Sequence, residues 1–208
     1  MMDIWYASYG SNMMKDRFLA YIVGGFAPKS SSPEKGCRDL TLPKEDEIIS
    51  IPYPLYFAKE RSKWGDGGVA FIGTAKSNEE YTIGRMYLIK KEQFFDVVSQ
   101  ENNGLEVTID LNEVEEKGFV DIHSGWYNRI IFLGRKNGAP IFTFSNSNSL
   151  NTIDFYKPST SYLSVIAEGL RELGLSKEEI INYLLHTRGI KEVVSKPRLI
   201  EMLEEESK

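Results

Sequence analysis

Two stretches of the chain hold residue types that can do chemistry. The first is Tyr9-Gly10-Ser11-Asn12, which follows the aromatic run Trp5-Tyr6-Ala7-Ser8. Trp, Tyr and Ile favour a half-buried pleated surface, so that run reads as a strand. Gly10 permits a tight turn and a close approach of the backbone to a ligand. Ser11 or Asn12 is expected to cap a helix running from Met13 to Ile22. Such a corner aims several backbone N–H groups into one space, which suits an anion or a developing oxyanion. The alternative is a glycine that serves packing alone.

The second stretch ends in Glu101. The segment from Lys90 to Asn103 has a helical pattern with Phe94, Phe95, Val97 and Val98 as its apolar positions, and Gly104 can end it. Glu101 lies three residues past Val98 and seven past Phe94, so it shares a face with side chains expected in the core. Desolvation would make a carboxyl there keep its proton, and the negative end of the helix would add to that effect. The alternative is a partly exposed glutamate in a last turn.

The elements that must position these residues follow in order. The 24–47 segment is rich in Pro, Ser, Lys and Glu and reads as a long surface loop, with Lys29 to Gly36 expected to be disordered. Pro52 and Pro54 interrupt the apolar run from Ile48 to Ala58, which predicts an edge strand or one starting after Pro54. A polar turn holding Trp64 leads through Gly67-Gly68 to a strand over 69–75. The 80–89 run is apolar on both faces and reads as a strand buried on both sides. A short helix is expected near 112–117, then strands at 126–133 and 141–145 joined through Asn137-Gly138, a hairpin signal. Pro158-Ser159 opens a helix, Ser176-Lys177-Glu178-Glu179 is a capping box for the next, and Pro197 starts a last amphipathic one. Glu204 to Lys208 reads as a frayed acidic end.

Composition narrows the function classes. The 208 residues suit one domain, with 1–190 as its body and 191–208 as a helical extension. A net charge of -5 argues against bulk nucleic-acid binding and against an anionic membrane surface. No apolar run approaches the roughly 18–20 residues that span a bilayer. The N-terminus has no secretory pattern, and the single cysteine, Cys37, fits a reducing cytoplasm. With two histidines and one cysteine, no cluster has zinc-ligand spacing. Neither a P-loop nor a G-x-G-x-x-G fingerprint is present, and no cofactor is expected. His123 and His186 are assigned to loops or helix ends rather than to a pair with Ser11.

Together these pieces resemble the γ-glutamylcyclotransferase-like superfamily. An aromatic strand followed by Y-G-S-N-L is matched by Tyr9-Gly10-Ser11-Asn12-Met13. The superfamily's mid-chain catalytic glutamate is matched by Glu101 in Gln100-Glu101-Asn102-Asn103-Gly104. A P-S-x-x-Y helix start, a G-L-[PS] turn and an E-x-I-type helix are matched by Pro158-Ser159-Thr160-Ser161-Tyr162, Gly174-Leu175-Ser176 and Glu179-Ile180. The stretches Cys37-Arg38-Asp39, Trp64-Gly65-Asp66-Gly67-Gly68, Gly84-Arg85 and Gln100-Glu101 are similar to one bacterial branch. Some of its members are named as histone deacetylases, a chemistry whose zinc ligands this sequence lacks. Two asparagines follow Glu101 where the superfamily usually has E-G.

The resemblance implies an α+β fold, a mixed, partly open β-barrel with flanking helices. It also implies a reaction, the intramolecular aminolysis of a small γ-glutamyl substrate that releases 5-oxoproline, with no cofactor, nucleic acid or membrane involved. Glu101 would be the general acid/base, and the amides around Gly10, Ser11 and Asn12 would bind the oxyanion or the substrate carboxylate. The hydroxyls of Tyr9 and Tyr162 would orient the substrate, Trp64 would wall the pocket, and Arg85 would form a buried ion pair. Two alternatives stay open: a metabolite-binding module without turnover, and a cyclisation or acyl transfer on another γ-glutamylated compound.

Overall fold

The computed structural model describes residues 2–30, 32–122, 125–191 and 193–205. In chain order the elements are β1 (Asp3–Ser8), a 3-10 turn (Ser11–Met13), α1 (Lys15–Val23), β2 (Gly25–Phe26), β3 (Pro33–Glu34), β4 (Asp46–Ile51), β5 (Leu55–Ala58), β6 (Arg61–Ser62), β7 (Gly65–Asp66), β8 (Val69–Ile72) and β9 (Thr82–Lys90). Then come α2 (Lys91–Glu101), α3 (Leu111–Lys117), β10 (Phe119–Asp121), β11 (Arg129–Lys136), β12 (Ala139–Ser145), α4 (Thr160–Glu172), α5 (Lys177–Leu185) and α6 (Lys196–Glu205). The chain divides into two compact units. The first takes the described residues of Met1–Ser8, Lys15–Ile49 and Arg85–Ser147; the second takes those of Tyr9–Met14, Ser50–Gly84 and Asn148–Lys208.

The first unit is built on a mixed sheet in the order β10-β11-β12-β1-β9-β4. β1 runs parallel to β12, with Trp5 opposite Ile141, and antiparallel to β9, with Tyr6 opposite Tyr87 and Ser8 opposite Arg85. The sheet does not close on itself among the described residues. The expected α+β class with a mixed sheet and flanking helices is what the chain adopts, with no closed barrel among the described residues. Ile4 and Tyr6, two apart on β1, point to one face, where they meet Phe18 and Tyr21 of α1 and Phe94, Val97 and Val98 of α2 in one core. The Tyr6 ring stacks on Phe144 at 5.3 Å, and Phe18 stacks on Tyr87 at 3.9 Å. Asn137 and Gly138 both hold positive φ, the two-residue turn that this dipeptide signals between β11 and β12.

Two local expectations are corrected here. Met14 is extended, with φ -68 and ψ 118, so the helix begins at Lys15, and Ser11 and Asn12 lie in the separate 3-10 turn instead of capping it. The 29–36 segment is not disordered where described: β2 pairs with β3, Phe26 opposite Pro33. The 36–41 stretch that follows is held by a polar stripe on α2. Gln93 donates to the carbonyls of Asp39 and Thr41 at 2.9 and 2.7 Å, Asp96 pairs with Arg38 at 2.9 Å, and Gln100 accepts the Gly36 N–H at 3.1 Å.

The second unit pairs β5 with β8, Tyr56 opposite Phe71, and β6 with β7. It carries α4, α5 and α6. Ser159 caps α4 by accepting the Tyr162 N–H, and Ser176 with Glu179 forms the expected capping box of α5. Of the acidic end expected to fray, Glu204 and Glu205 instead close α6, paired with Lys177 and Arg198 at 2.5 and 2.9 Å, and 206–208 lie outside the described residues. No helix among the described residues is long and apolar enough to cross a membrane.

Cys37 is 6% exposed and donates through its thiol to the Tyr21 carbonyl at 3.3 Å. Burial pushes the thiol up to about 12, with the Asp96 and Asp39 carboxylates adding to the effect. The thiolate is the reactive form, so at pH 8 the native protein is expected to resist a thiol reagent that labels the urea-unfolded chain within minutes. Equal labelling of both states would show that the 37–41 segment is not held on α2.

Candidate active site

The Tyr9–Asn12 stretch lies in the second unit. Tyr9, Ser11 and Asn12 are buried. The Met13 N–H bonds to the Gly10 carbonyl at 3.0 Å and the Met14 N–H to the Ser11 carbonyl at 3.2 Å. The N–H groups of Ser11 and Asn12 stand ahead of the turn's first hydrogen bond, as donors at a helix start do. Gly10 has φ -109, which any residue can adopt. It is glycine because of what it faces: a Cβ there would lie 3.0 Å from the Tyr162 hydroxyl and 3.6 Å from the Ala70 Cβ. The Tyr162 hydroxyl accepts the Ala70 N–H at 3.1 Å, and its ring packs on Trp64 with centroids 5.0 Å apart. The second unit thus brings Gly10, Tyr162 and Trp64 together beside the turn.

Helix α4 holds that turn from behind. A Cβ on Gly169 would come within 2.7 Å of the Met13 carbonyl carbon, the Met13 Cβ and the Met14 nitrogen. Contact at backbone distance explains a glycine in mid-helix, where it costs about 1 kcal/mol relative to alanine.

Glu101 and Arg85 lie in the first unit. Glu101 ends α2 half-buried, and the Tyr21 hydroxyl of α1 hydrogen-bonds its carboxylate. Burial pushes the Tyr21 phenol well above its ordinary value, and the charges of Glu101 and Glu34 and that hydrogen bond add to the shift against Arg17. The neighbours of Glu101 are tied down on both sides. Gln100 Nε2 donates to the Tyr21 carbonyl at 3.0 Å. Asn102 is buried; its Nδ2 donates to the carbonyls of Val98 and Tyr127 at 3.0 and 3.2 Å, and its Oδ1 accepts the Tyr127 N–H at 3.1 Å. The asparagine after the glutamate therefore anchors the helix end to the 125–127 loop. Arg85 is 4% exposed, with Nη1 4.0 Å from Asp46, a carboxylate that Lys15 also holds at 2.9 Å.

Of the histidines, His186 caps the end of α5, with Nδ1 2.7 Å from the Asn182 carbonyl oxygen; His123 lies outside the described residues. No group of three His, Cys, Asp or Glu side chains among the described residues is placed to hold a metal ion. Sequence reasoning missed Tyr21, Gln100, Asn102 and Gly169. For Gln100 a signal existed: Gln93, Asp96 and Gln100 recur at helical spacing, marking a second contact face of α2. Tyr21 had none, because its partner is 80 positions further along the chain.

The fold is of the γ-glutamylcyclotransferase-like type. A solved structure titled γ-glutamyl cyclotransferase matches it with TM-score 0.51 at 16% identity over 98% of this chain and 99% of that one. An uncharacterized human protein matches with TM-score 0.53 at 16% identity over the same shares. YkqA from Bacillus subtilis matches with TM-score 0.51 at 18% identity, covering 91% of this chain and 57% of that one. No family model matches the sequence. Histone deacetylase 5 of Arabidopsis thaliana is 38% identical over 216 aligned positions, which cover 94% of this chain and 31% of that protein. The chain thus spans about a third of that curated relative's length.

Two substitutions test the supports. Gly169→Ala gains about 1 kcal/mol of helix propensity but must push Met13 aside, an overpacking cost of about 1–3 kcal/mol. Net destabilisation in urea melts is the expected outcome, and a stabilised variant would show that α4 does not press on the turn. Asn102→Ala strips both Tyr127 backbone groups of their partner and is expected to cost about 2 kcal/mol.

Proposed function

We propose that the protein is a γ-glutamylcyclotransferase-type enzyme, related to the bacterial branch of that superfamily and acting in the cytoplasm on a small γ-glutamyl amide or peptide. The α-amine nitrogen of the substrate attacks its own γ-carbonyl carbon. The new C–N bond closes a five-membered ring, the γ-amide C–N bond breaks, and 5-oxoproline and an amine leave. Ring closure needs little more than a folded-back conformer, so most of the protein's work is positioning.

Glu101 takes the proton that the ammonium must lose and returns it to the leaving nitrogen. Tyr21 holds the carboxylate in place through its hydrogen bond. The Ser11 and Asn12 amides donate to the oxyanion or to the substrate carboxylate, and Tyr162, Tyr9 and Trp64 shape the pocket. Arg85 is assigned a structural ion pair with Asp46. The observation that carries the reading is a half-buried glutamate fixed by Tyr21, Gln100 and Asn102 on a γ-glutamylcyclotransferase-like fold. The deacetylase name belongs to a plant protein about three times as long as its matched part.

Incubation with γ-glutamyl amides and dipeptides, followed by mass spectrometry, is expected to reveal 5-oxoproline. Glu101→Gln should slow its release by about a hundredfold or more while the melting curve stays near that of the parent. Wild-type turnover in that variant would refute the acid/base role. Substrate binding with no 5-oxoproline from the parent protein would favour a metabolite-binding module.

A further inference from the structure

The second unit contains a cavity of about 650 Å³ that no residue of the proposed reaction lines. Its size falls within the roughly 300–1,000 Å³ of small-molecule sites. One wall is a single face of α5, where Glu179, Asn182, Tyr183 and His186 recur at helical spacing. The facing wall is the 79–83 stretch that leads into β9, and Leu55, Ile83 and Leu175 supply apolar surface. The Tyr183 hydroxyl accepts the Ile83 N–H at 3.0 Å and ties the two walls together. Burial pushes that phenol up, and neighbouring Tyr81 adds to the shift, so it stays neutral at physiological pH.

The charge of the lining selects the ligand. Glu79, Glu80 and Glu179 bring three carboxylates to the cavity, with Lys191 as the lysine among its lining residues. Arg188 occupies both oxygens of Glu80 at 2.6 and 3.0 Å. Glu179 accepts the Ser176 hydroxyl and N–H, which hold its carboxyl below the usual range and therefore ionised. Even with Arg188 counted, carboxylates outnumber cations. Tyr81 is 55% exposed, leaving an aromatic face beside them, an arrangement that attracts an ammonium group. Because His186 Nδ1 lies 2.7 Å from a carbonyl oxygen, it carries the hydrogen, and Nε2 of the neutral ring can accept another.

We propose that this cavity binds a small organic cation, a primary amine on an aromatic or alkyl body, with Glu79 and Tyr81 as its main contacts. The test uses the full chain, with tyramine and cadaverine as probes and hydroxyphenylacetate as the anionic control. Both amines are expected to shift the amide resonances of 79–83 and 179–191 saturably, with Kd of about 0.1–1 mM and the acid at least tenfold weaker. Glu79→Gln should weaken tyramine about fivefold and Tyr81→Ala about threefold, with 5-oxoproline release unchanged in both. Both side chains are exposed, so neither variant should unfold. Comparable binding of the acid, no saturation by about 10 mM amine, or parent-like affinity in both variants would overturn the proposal.

Discussion

The last turn of α2 is the place on which the proposed chemistry depends, and it is fixed by hydrogen bonds rather than by apolar packing alone. A helix end leaves its last carbonyls without intrahelical partners and tends to fray. Here Gln100 grips α1, Asn102 grips the backbone of Tyr127, and the Tyr21 hydroxyl meets the Glu101 carboxylate between them. Hydrogen bonds to charged groups contribute about 1.5–3 kcal/mol and neutral ones about 1 kcal/mol, enough together to hold one rotamer. A carboxylate that must accept and return one proton needs such fixity.

The same helix does two jobs because it has two working faces. Phe94, Val97 and Val98 enter the core of the first unit. Gln93, Asp96 and Gln100 reach outward to the 36–41 backbone and convert a polar stretch into ordered chain. The buried Cys37 follows from that docking, since its thiol sits against the carbonyls of Tyr21 and Gln93.

In the second unit the governing constraint is closeness. Gly10 lies where a methyl group would press on the Tyr162 hydroxyl, and Gly169 lies where one would strike Met13. Protein interiors are packed like crystals, so removing a Cβ at each of two points lets a turn, a phenol and a helix occupy positions that larger residues would deny them.

The sequence by itself determined the local features. An aromatic run specified β1, Asn137-Gly138 the hairpin of β11 and β12, Ser176 to Glu179 a capped helix, and the spacing from Phe94 to Glu101 placed a carboxylate in line with apolar side chains. These are legible because they depend on neighbours within one or two turns of chain. What only the tertiary structure decided is who meets whom across long separations: Tyr21 with Glu101, Asn102 with Tyr127, Gly169 with Met13, Gln93 with the 39–41 backbone. Extended backbone at Met14 likewise split one expected helix into a turn and a helix, which residue preferences do not show. Pairings of that kind carry no periodicity, because a side chain chooses a distant partner by the geometry of the folded backbone and not by its place in the chain.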